Sequence, residues 1–298
     1  MIGLAGGKHD GIILKDFKNP LVLIKTDYTL SLLDTTRLKA PAGFDLESTY
    51  FNVNVNEPRI SISNASGDVS VYNEGAIRSF KIPGLTFDQS RMAAAETMMV
   101  RSIEGTNGKY RRAIAKVMLS PKETAVKRFM LPVQVDGFFC TDGWMQYDQV
   151  HGRILYAYFY RGELLFLDTD LNLLSKIKTI DTVTKAQIKL QQVNVPFGKG
   201  RISSTTQASP PKVVNKYFCT SNDRIYLLSG RKADNETEFS YRNNQPVDVY
   251  RLKDGKYLYS FYLPEYKGFK PHEMQVDQDN RFLAGVFGIY LVTFRLNP

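Results

Sequence analysis

A short pattern that recurs along the chain constrains its fold more than any other feature. Each copy is a polar turn, then an arginine, then a run of apolar β-forming residues, and the arginines concerned are Arg59, Arg112, Arg153, Arg224 and Arg281. Repetition at intervals of about 40 to 70 residues is typical of stacked supersecondary modules, and this spacing suits the blades of a propeller. The pattern therefore predicts an all-β repeat protein.

Residues 144–180 form the clearest unit, because turn residues divide them into four short runs of β-forming residues. Four antiparallel strands in one unit are typical of a propeller blade. With a weaker match at Pro20, the anchors predict six such units in a single domain covering residues 1–298. The interval from Arg153 to Arg224 is too long for one unit. Its excess, residues 181–212, predicts a long loop and leaves a seventh, degenerate unit open.

Three further segments carry their own predictions. The last unit, residues 272–296, is one strand short, and the apolar residues 11–17 are expected to supply that strand and close the ring, which removes exposed sheet edges. Residues 89–99 have good helix propensity but also occupy the position of an inner strand, so both interpretations stay open. Residues 232–246 predict a hairpin extension at the surface.

Charge and cysteine content limit the classes of function. The net charge is +9, from 39 Lys and Arg against 30 Asp and Glu, but no run of five basic residues occurs, which argues against nucleic-acid binding. Cys140 and Cys219 lack metal-site spacing. They could form one disulfide, but both follow aromatic residues and are predicted to be buried free thiols. The sequence contains no apolar stretch of about 18 residues, so no membrane span is predicted. The start of the sequence shows no long apolar signal core.

The expected ligand site is the mouth of the central channel, near the starts of the first strands. The residues predicted to lie there are Asp142, Trp144, Lys216, His272 and Glu273. His272 and Glu273 could form a metal-binding or proton-transfer pair, or His272 could be a solvated loop residue. Trp144, the only tryptophan, could stack on a ligand or pack in the core with its N–H on a carbonyl. The recurring arginines suggest a structural role, and no catalytic or cofactor motif is present, so no cofactor is predicted.

Two stretches, residues 151–156 and 250–261, resemble blade motifs of the TolB-like six-bladed β-propeller family of bacterial cell-envelope proteins. The resemblance implies a periplasmic or cell-surface binding module with four-stranded antiparallel blades. The function expected from it is non-enzymatic: a scaffold that presents channel-mouth loops to a protein or glycan partner. The alternative is a metal-dependent gluconolactonase-like hydrolase or lyase, in which Asp142, Asn215 and Glu273 would converge as ligands from different blades.

Overall fold

A computed structural model describes residues 2–6, 11–31, 33–45, 51–106, 109–120, 125–197, 200–234 and 236–296. Almost all regular structure in these residues is β-strand, and consecutive strands pair as antiparallel neighbours. By hydrogen bonding, the described strands form five sheets and one separate hairpin, and the first sheet has eight strands. That sheet is divided here at its one parallel pairing, so six groups of strands are numbered as sheets 1 to 6 in chain order.

The first three sheets have four strands each. Sheet 1 contains β1 (Ile2–Gly6), β2 (Ile12–Asp16), β3 (Val22–Thr26) and β4 (Leu33–Arg37). Sheet 2 contains β5 (Phe51–Asn56), β6 (Arg59–Asn64), β7 (Asp68–Asn73) and β8 (Ala76–Lys81). Sheet 3 contains β9 (Thr86–Ala94), β10 (Thr97–Thr106), β11 (Lys109–Met118) and β12 (Ala125–Met130). One parallel pairing, Gly6 with Val55, joins β1 to β5 and so links the first two sheets.

The second half of the chain adds three sheets, the hairpin and a short helix. Sheet 4 contains β13 (Gly143–Asp148), β14 (Arg153–Tyr158), β15 (Glu163–Asp168) and β16 (Leu173–Lys178). The hairpin consists of β17 (Leu190–Phe197) and β18 (Gly200–Gln207). Sheet 5 contains β19 (Asn215–Thr220), β20 (Arg224–Ser229), β21 (Asn244–Arg251) and β22 (Tyr257–Pro264), with helix α1 (Glu238–Asn243) between β20 and β21. Sheet 6 contains β23 (Glu273–Val276), β24 (Phe282–Phe287) and β25 (Tyr290–Arg295).

Apolar cores between successive sheets arrange them in a closed ring. A buried cluster lies between each sheet and the next one along the chain. Another closes the ring, because Ile12 and Leu14 of sheet 1 pack with Ala284 of sheet 6, and Tyr28 stacks on Phe282 at 5.9 Å. The first strand of every sheet contacts the first strands on either side of it, β1 and β23 included. The first strands therefore surround a common centre.

All six first strands run towards the same end of the ring, since the second half of each lines one central cavity. The end where they begin is called the start face, and the other end the finish face. Because strands alternate in direction, the connections between sheets and those between second and third strands emerge on the start face. Within the described residues, the longest connections belong to these two classes: 38–45, 131–142, 179–214, 230–243 and 265–272. In the described part of the chain, the connections on the finish face are short turns.

Several sequence predictions agree with this arrangement. Residues 144–180 form the four strands expected of them, with bounds that differ by one or two residues. Arg59, Arg153 and Arg224 begin second strands, as the repeat predicts. Cys140 and Cys219 are buried free thiols, which confirms that prediction.

Other predictions need correction. Arg112 lies inside the third strand of its sheet, and Pro20 precedes the third strand of sheet 1, because a turn followed by apolar residues can begin any strand. Residues 11–17 do not complete sheet 6, which has three strands in the described chain. They contain β2, whose two edges pair with β1 and β3.

The local predictions for three segments also change. Residues 89–99 form the end of β9, a two-residue turn and the start of β10. Met92 and Met98 are buried in the core between sheets 2 and 3, and this packing overrides helix propensity. The predicted loop at 181–212 contains the hairpin β17–β18. In the described part of 232–246, the predicted surface hairpin is replaced by helix α1, which Thr237 caps by accepting a hydrogen bond from the Ser240 N–H at 3.1 Å.

Candidate functional site

Asp142, the first predicted site residue, is held by arginines at the start face. Its carboxylate is paired with the buried Arg101 and accepts the N–H of Gly143 at 2.9 Å. Arg101 also donates to both carboxylate oxygens of Asp88, at 2.7 and 2.6 Å, and Arg112 pairs with the same two acids. These contacts join sheet 3 to the segment that leads into sheet 4. Asp142 is thus part of a buried ion-pair network.

Trp144 packs between sheets 4 and 5. Its indole N–H donates to the backbone oxygen of Lys216 at 2.6 Å. Its ring meets those of Tyr217 and Phe159 edge to face, with centroids 5.2 and 5.7 Å apart. Because its partners come from sheet 5 and from the residue that follows β14 of sheet 4, Trp144 has the geometry of a packing residue with a satisfied N–H.

Lys216 lies near the start of β19, the first strand of sheet 5. Its ammonium group donates to Gln245 Oε1 at 2.7 Å, and it has no carboxylate within ion-pair distance among the described residues. Burial, with a smaller contribution from Lys270, lowers the pKa of Lys216 to about 8. The side chain is therefore partly neutral near physiological pH.

The two predicted residues of sheet 6 have different surroundings. His272 is exposed, and its backbone N–H donates to Val286 O at 3.0 Å. Glu273 is buried, and its Oε2 accepts the backbone N–H of Leu4 at 2.6 Å, which ties the first strand of the ring to the last. Asn215, the third residue of the alternative ligand set, donates to Tyr158 O at 2.7 Å and to Arg161 O at 3.0 Å.

The five predicted residues thus lie at the start face but do not form one constellation. Trp144 and Lys216 are joined by a hydrogen bond, while Asp142 and Glu273 are held by different partners. Within the described ranges, no group of three or more His, Cys, Asp or Glu side chains is arranged as a metal site. The structure therefore shows no shared coordination among Asp142, Asn215 and Glu273.

A central cavity of about 340 Å³ lies nearer the finish face. None of the five predicted residues lines it. Its wall includes Asn54, Arg91, Gln146, Tyr217 and Gln275, one from each of five first strands, and its rim is formed by residues that follow those strands. The sequence prediction missed this cavity because it considered only residues near strand starts. The sequence signal that could have indicated the cavity is a polar or charged residue within a first strand that otherwise consists of β-forming residues.

Arg91 and Lys15 give the cavity wall its positive charge. Arg91 donates from Nε to Gln146 Oε1 at 3.1 Å, and from Nη1 to Asn54 Oδ1 at 3.1 Å. Lys15 lies on β2 opposite Gly3 and reaches the cavity beside it. Burial lowers the pKa of both side chains, and the nearby carboxylate of Glu273 counteracts part of that effect. The two cations are thus held in the centre of the ring at a cost in solvation.

The hairpin β17–β18 is the largest addition to the start face. In the described chain its two strands pair only with each other, and most of their side chains are exposed. The hairpin is fixed at its base, where Ala208 N–H donates to Lys189 O at 2.8 Å. Ala186 and Ile188 are buried next to Cys140 just before it. The body of the hairpin therefore extends from an anchored base.

Comparisons with known proteins identify the fold but not a family. No family model matches the chain, and no curated protein does. A member of the DUF4221 family from Bacteroides vulgatus has 11% sequence identity and a TM-score of 0.60, over 95% of this chain and 86% of that one. Weaker likenesses are the Cps50 (Swd1) β-propeller domain of Myceliophteria thermophila (9% identity, 99% and 98% coverage, TM-score 0.47) and BamB from Moraxella catarrhalis (12%, 97% and 84%, 0.44).

The ring of small antiparallel sheets places this chain in the class of β-propeller proteins. The likeness to the Bacteroides vulgatus structure agrees with that class and, at 11% identity, extends to the fold alone. No helix among the described residues is long and apolar enough to cross a membrane.

Proposed function

We propose that this protein is a single-domain, six-bladed, non-enzymatic binding propeller that holds a protein partner on its start face. The six successive sheets with first strands around one centre support the blade number. The predicted stacking residue gives no support to a glycan partner, because the ring of Trp144 is packed against those of Phe159 and Tyr217.

The hairpin β17–β18 is the observation that carries this proposal. A two-stranded hairpin is marginally stable alone in water, and its unpaired strand edges can pair with another chain. Natural proteins commonly shield such edges, whereas this one extends from the face that collects the long connections. Addition of a partner strand to β17 or β18 would satisfy the open backbone groups.

The charge of this segment indicates the chemistry of the partner. Between residues 182 and 212 the sequence has five basic residues and no acidic one. They are Lys185, Lys189, Lys199, Arg201 and Lys212. Lys199 lies outside the described residues, and the other four are exposed. The partner surface is therefore expected to be acidic, because complementary charge steers association.

The gluconolactonase-like alternative gains no support from the geometry. It needs Asp142, Asn215 and Glu273 to converge, and each of these side chains is engaged by a different partner. The TolB-like resemblance supports a periplasmic or cell-surface location, which fractionation of the native host would test.

A photo-crosslinking amino acid at Gln192, which is exposed on β17, tests the proposal directly. The matched control places it at Lys176, which is exposed on the outer strand β16. We expect one dominant crosslinked protein from Gln192 and none from Lys176. Charge reversal at Lys189 and Arg201 is expected to lower the yield of that crosslinked product, and added salt is expected to lower it further.

Removal of the hairpin provides a second test. Because Lys189 and Ala208 are hydrogen-bonded across its base, a Gly-Gly turn can replace residues 190–207 without separating the flanking chain. With the crosslinker moved to Phe239, which is exposed on α1 on the same face, the same partner should be lost in the shortened protein. Equal crosslinking with and without the hairpin, or from Lys176, would contradict the proposal.

A further inference from the structure

We propose that the central cavity binds a small organic molecule through one carboxylate, which Arg91 and Lys15 hold. This site lies towards the finish face, away from the hairpin, and goes beyond the protein-binding function proposed above. Its basis is the position, partners and net charge of the groups that line the cavity.

Arg91 presents an incompletely used guanidinium group to the cavity. Its described hydrogen bonds go to neutral oxygens: Gln146 Oε1, Asn54 Oδ1 and, at 2.8 Å, Ser90 O. No carboxylate of the described chain lies within 4.0 Å of it, and its Nη2 has no acceptor there. The three buried arginines of the described chain, Arg101, Arg112 and Arg161, are each paired with a carboxylate. Arg91 is partly buried and has no directly bonded counter-ion, and a planar carboxylate would complete its fork.

Lys15 supplies a second donor to the same space. It is half-buried on β2, and its ammonium group lies 5.2 Å from the centre of the Phe17 ring. It has no hydrogen-bond acceptor in the described ranges. Its neighbour Gly3 lacks a side chain, and a Cβ there would come within 2.8 Å of the Phe17 ring. The glycine thus leaves room for the Phe17 ring, and Glu273 Oε1 lies 3.2 Å from the same Cβ position.

The local charge balance specifies a monoanion. Arg91 and Lys15 contribute two positive charges, and Glu273 is close enough to act electrostatically on both. Asp148, at the rim, is already bound by Arg153 Nε at 3.2 Å. One uncompensated positive charge remains, so a single carboxylate is favoured over a phosphate dianion.

The rest of the wall indicates a compact ligand of mixed polarity. The cavity of about 340 Å³ is in the size range of small-molecule sites. The lining includes Met92, Met274 and Val276, whose side chains belong to the buried cores between sheets, together with the amide residues Asn54 and Gln275. These groups would contact the body of the acid while the cations hold its carboxylate.

The test measures thermal unfolding of the full chain with acetate, lactate, benzoate and glucuronate, each beside its neutral amide, and with phosphate, at constant ionic strength. We expect at least one carboxylate to raise the unfolding temperature with a saturable dose response, and its amide to have no effect. Arg91→Gln should lower the affinity for that acid at least tenfold, and Lys15→Met should also lower it. Arg281→Gln, at an exposed arginine, is the matched control and should bind as the wild type does.

A second variant tests the charge balance and the case in which Arg91→Gln fails to fold. Glu273→Gln keeps an oxygen for the Leu4 N–H but removes one negative charge, so it should retain the carboxylate and gain phosphate binding. Four outcomes would each overturn the proposal. Two concern the acids: no carboxylate in the panel binds saturably, or an acid and its amide bind equally. The other two are that wild-type protein binds phosphate as tightly as the carboxylate, or that a folded Arg91→Gln protein binds the carboxylate with unchanged affinity. Crosslinking from Gln192 should persist in the Arg91 variant, which separates this result from the fate of the protein-binding proposal.

Discussion

Replacement of Arg101 by methionine is expected to destabilise the ring at the junction of sheets 3 and 4. The arginine side chain is 7% exposed and binds Asp88 through two hydrogen bonds of 2.7 and 2.6 Å. It also donates to Asp142 and to the backbone oxygen of Gly143. Methionine fills a similar volume but leaves these acceptors without their main donor, so the loss is electrostatic rather than a cavity.

The expected magnitude follows from the remaining partner. Removing one member of a buried ion pair costs roughly 3–5 kcal/mol, and Arg112 still contacts Asp88, so we expect about 3 kcal/mol. An unfolding entropy of about 2.1 cal/mol/K per residue over the 298 residues converts this cost into a fall in Tm of about 5 °C. Trp144, the only tryptophan, lies beside this junction and reports its unfolding by fluorescence, with circular dichroism as the global probe.

The matched control is Arg78→Met. Arg78 and Glu96 form an ion pair at 2.7 Å in which both side chains are about half exposed, so its loss should cost at most about 1 kcal/mol. Equal shifts in Tm for the two variants would refute the argument that burial gives the Arg101 network its weight.

Three further perturbations have expected outcomes. Burial raises the pKa of Asp88, but its two arginine partners lower it more, to below the ordinary 3.8. The stability that this group contributes is present above pH 3.8 and is lost as the pH falls, so the free energy of unfolding of Asp88→Asn should depend less on pH in acid. Gly6→Ala should cost about 2–3 kcal/mol in urea unfolding, because Gly6 has φ +129° and a Cβ would lie 2.5 Å from Val55 O; Gly75→Ala, at φ +85° with no atom within 4 Å, should cost only about 1 kcal/mol. Folded Lys216, with its pKa of about 8, loses its proton before the unfolded lysine does, so stability should rise between about pH 8 and 10 and Lys216→Met should abolish that rise.

The architecture could be predicted from sequence because each strand is encoded locally. Residues 144–180 show turn residues and alternating apolar runs that depend on no distant contact, and their four strands match the structure closely. The same local signal misplaced Arg112, since a turn and an arginine mark the start of a strand without stating its rank in the sheet. The place of residues 11–17 depended on which edges were free, and β1 and β3 occupy both edges of β2.

The cavity was harder to predict because its composition depends on long-range register. Arg91 lies in a segment whose local preference is helical, and only its pairing in β9 directs it towards Gln146 and Asn54. Lys15 reaches the channel from a second strand, past Gly3, which no pattern of first strands would indicate.

The first strands connect the two ends of the ring over a few residues. On β19, Lys216 bonds Gln245 near one opening, while the next residue, Tyr217, and then Cys219 border the hollow that leads to the other. A displacement of this strand along its axis would therefore be felt at both ends together. If an occupant at one end shifts β19 in this way, thermodynamic reciprocity requires that an occupant at the other end change the first one's affinity by the same factor.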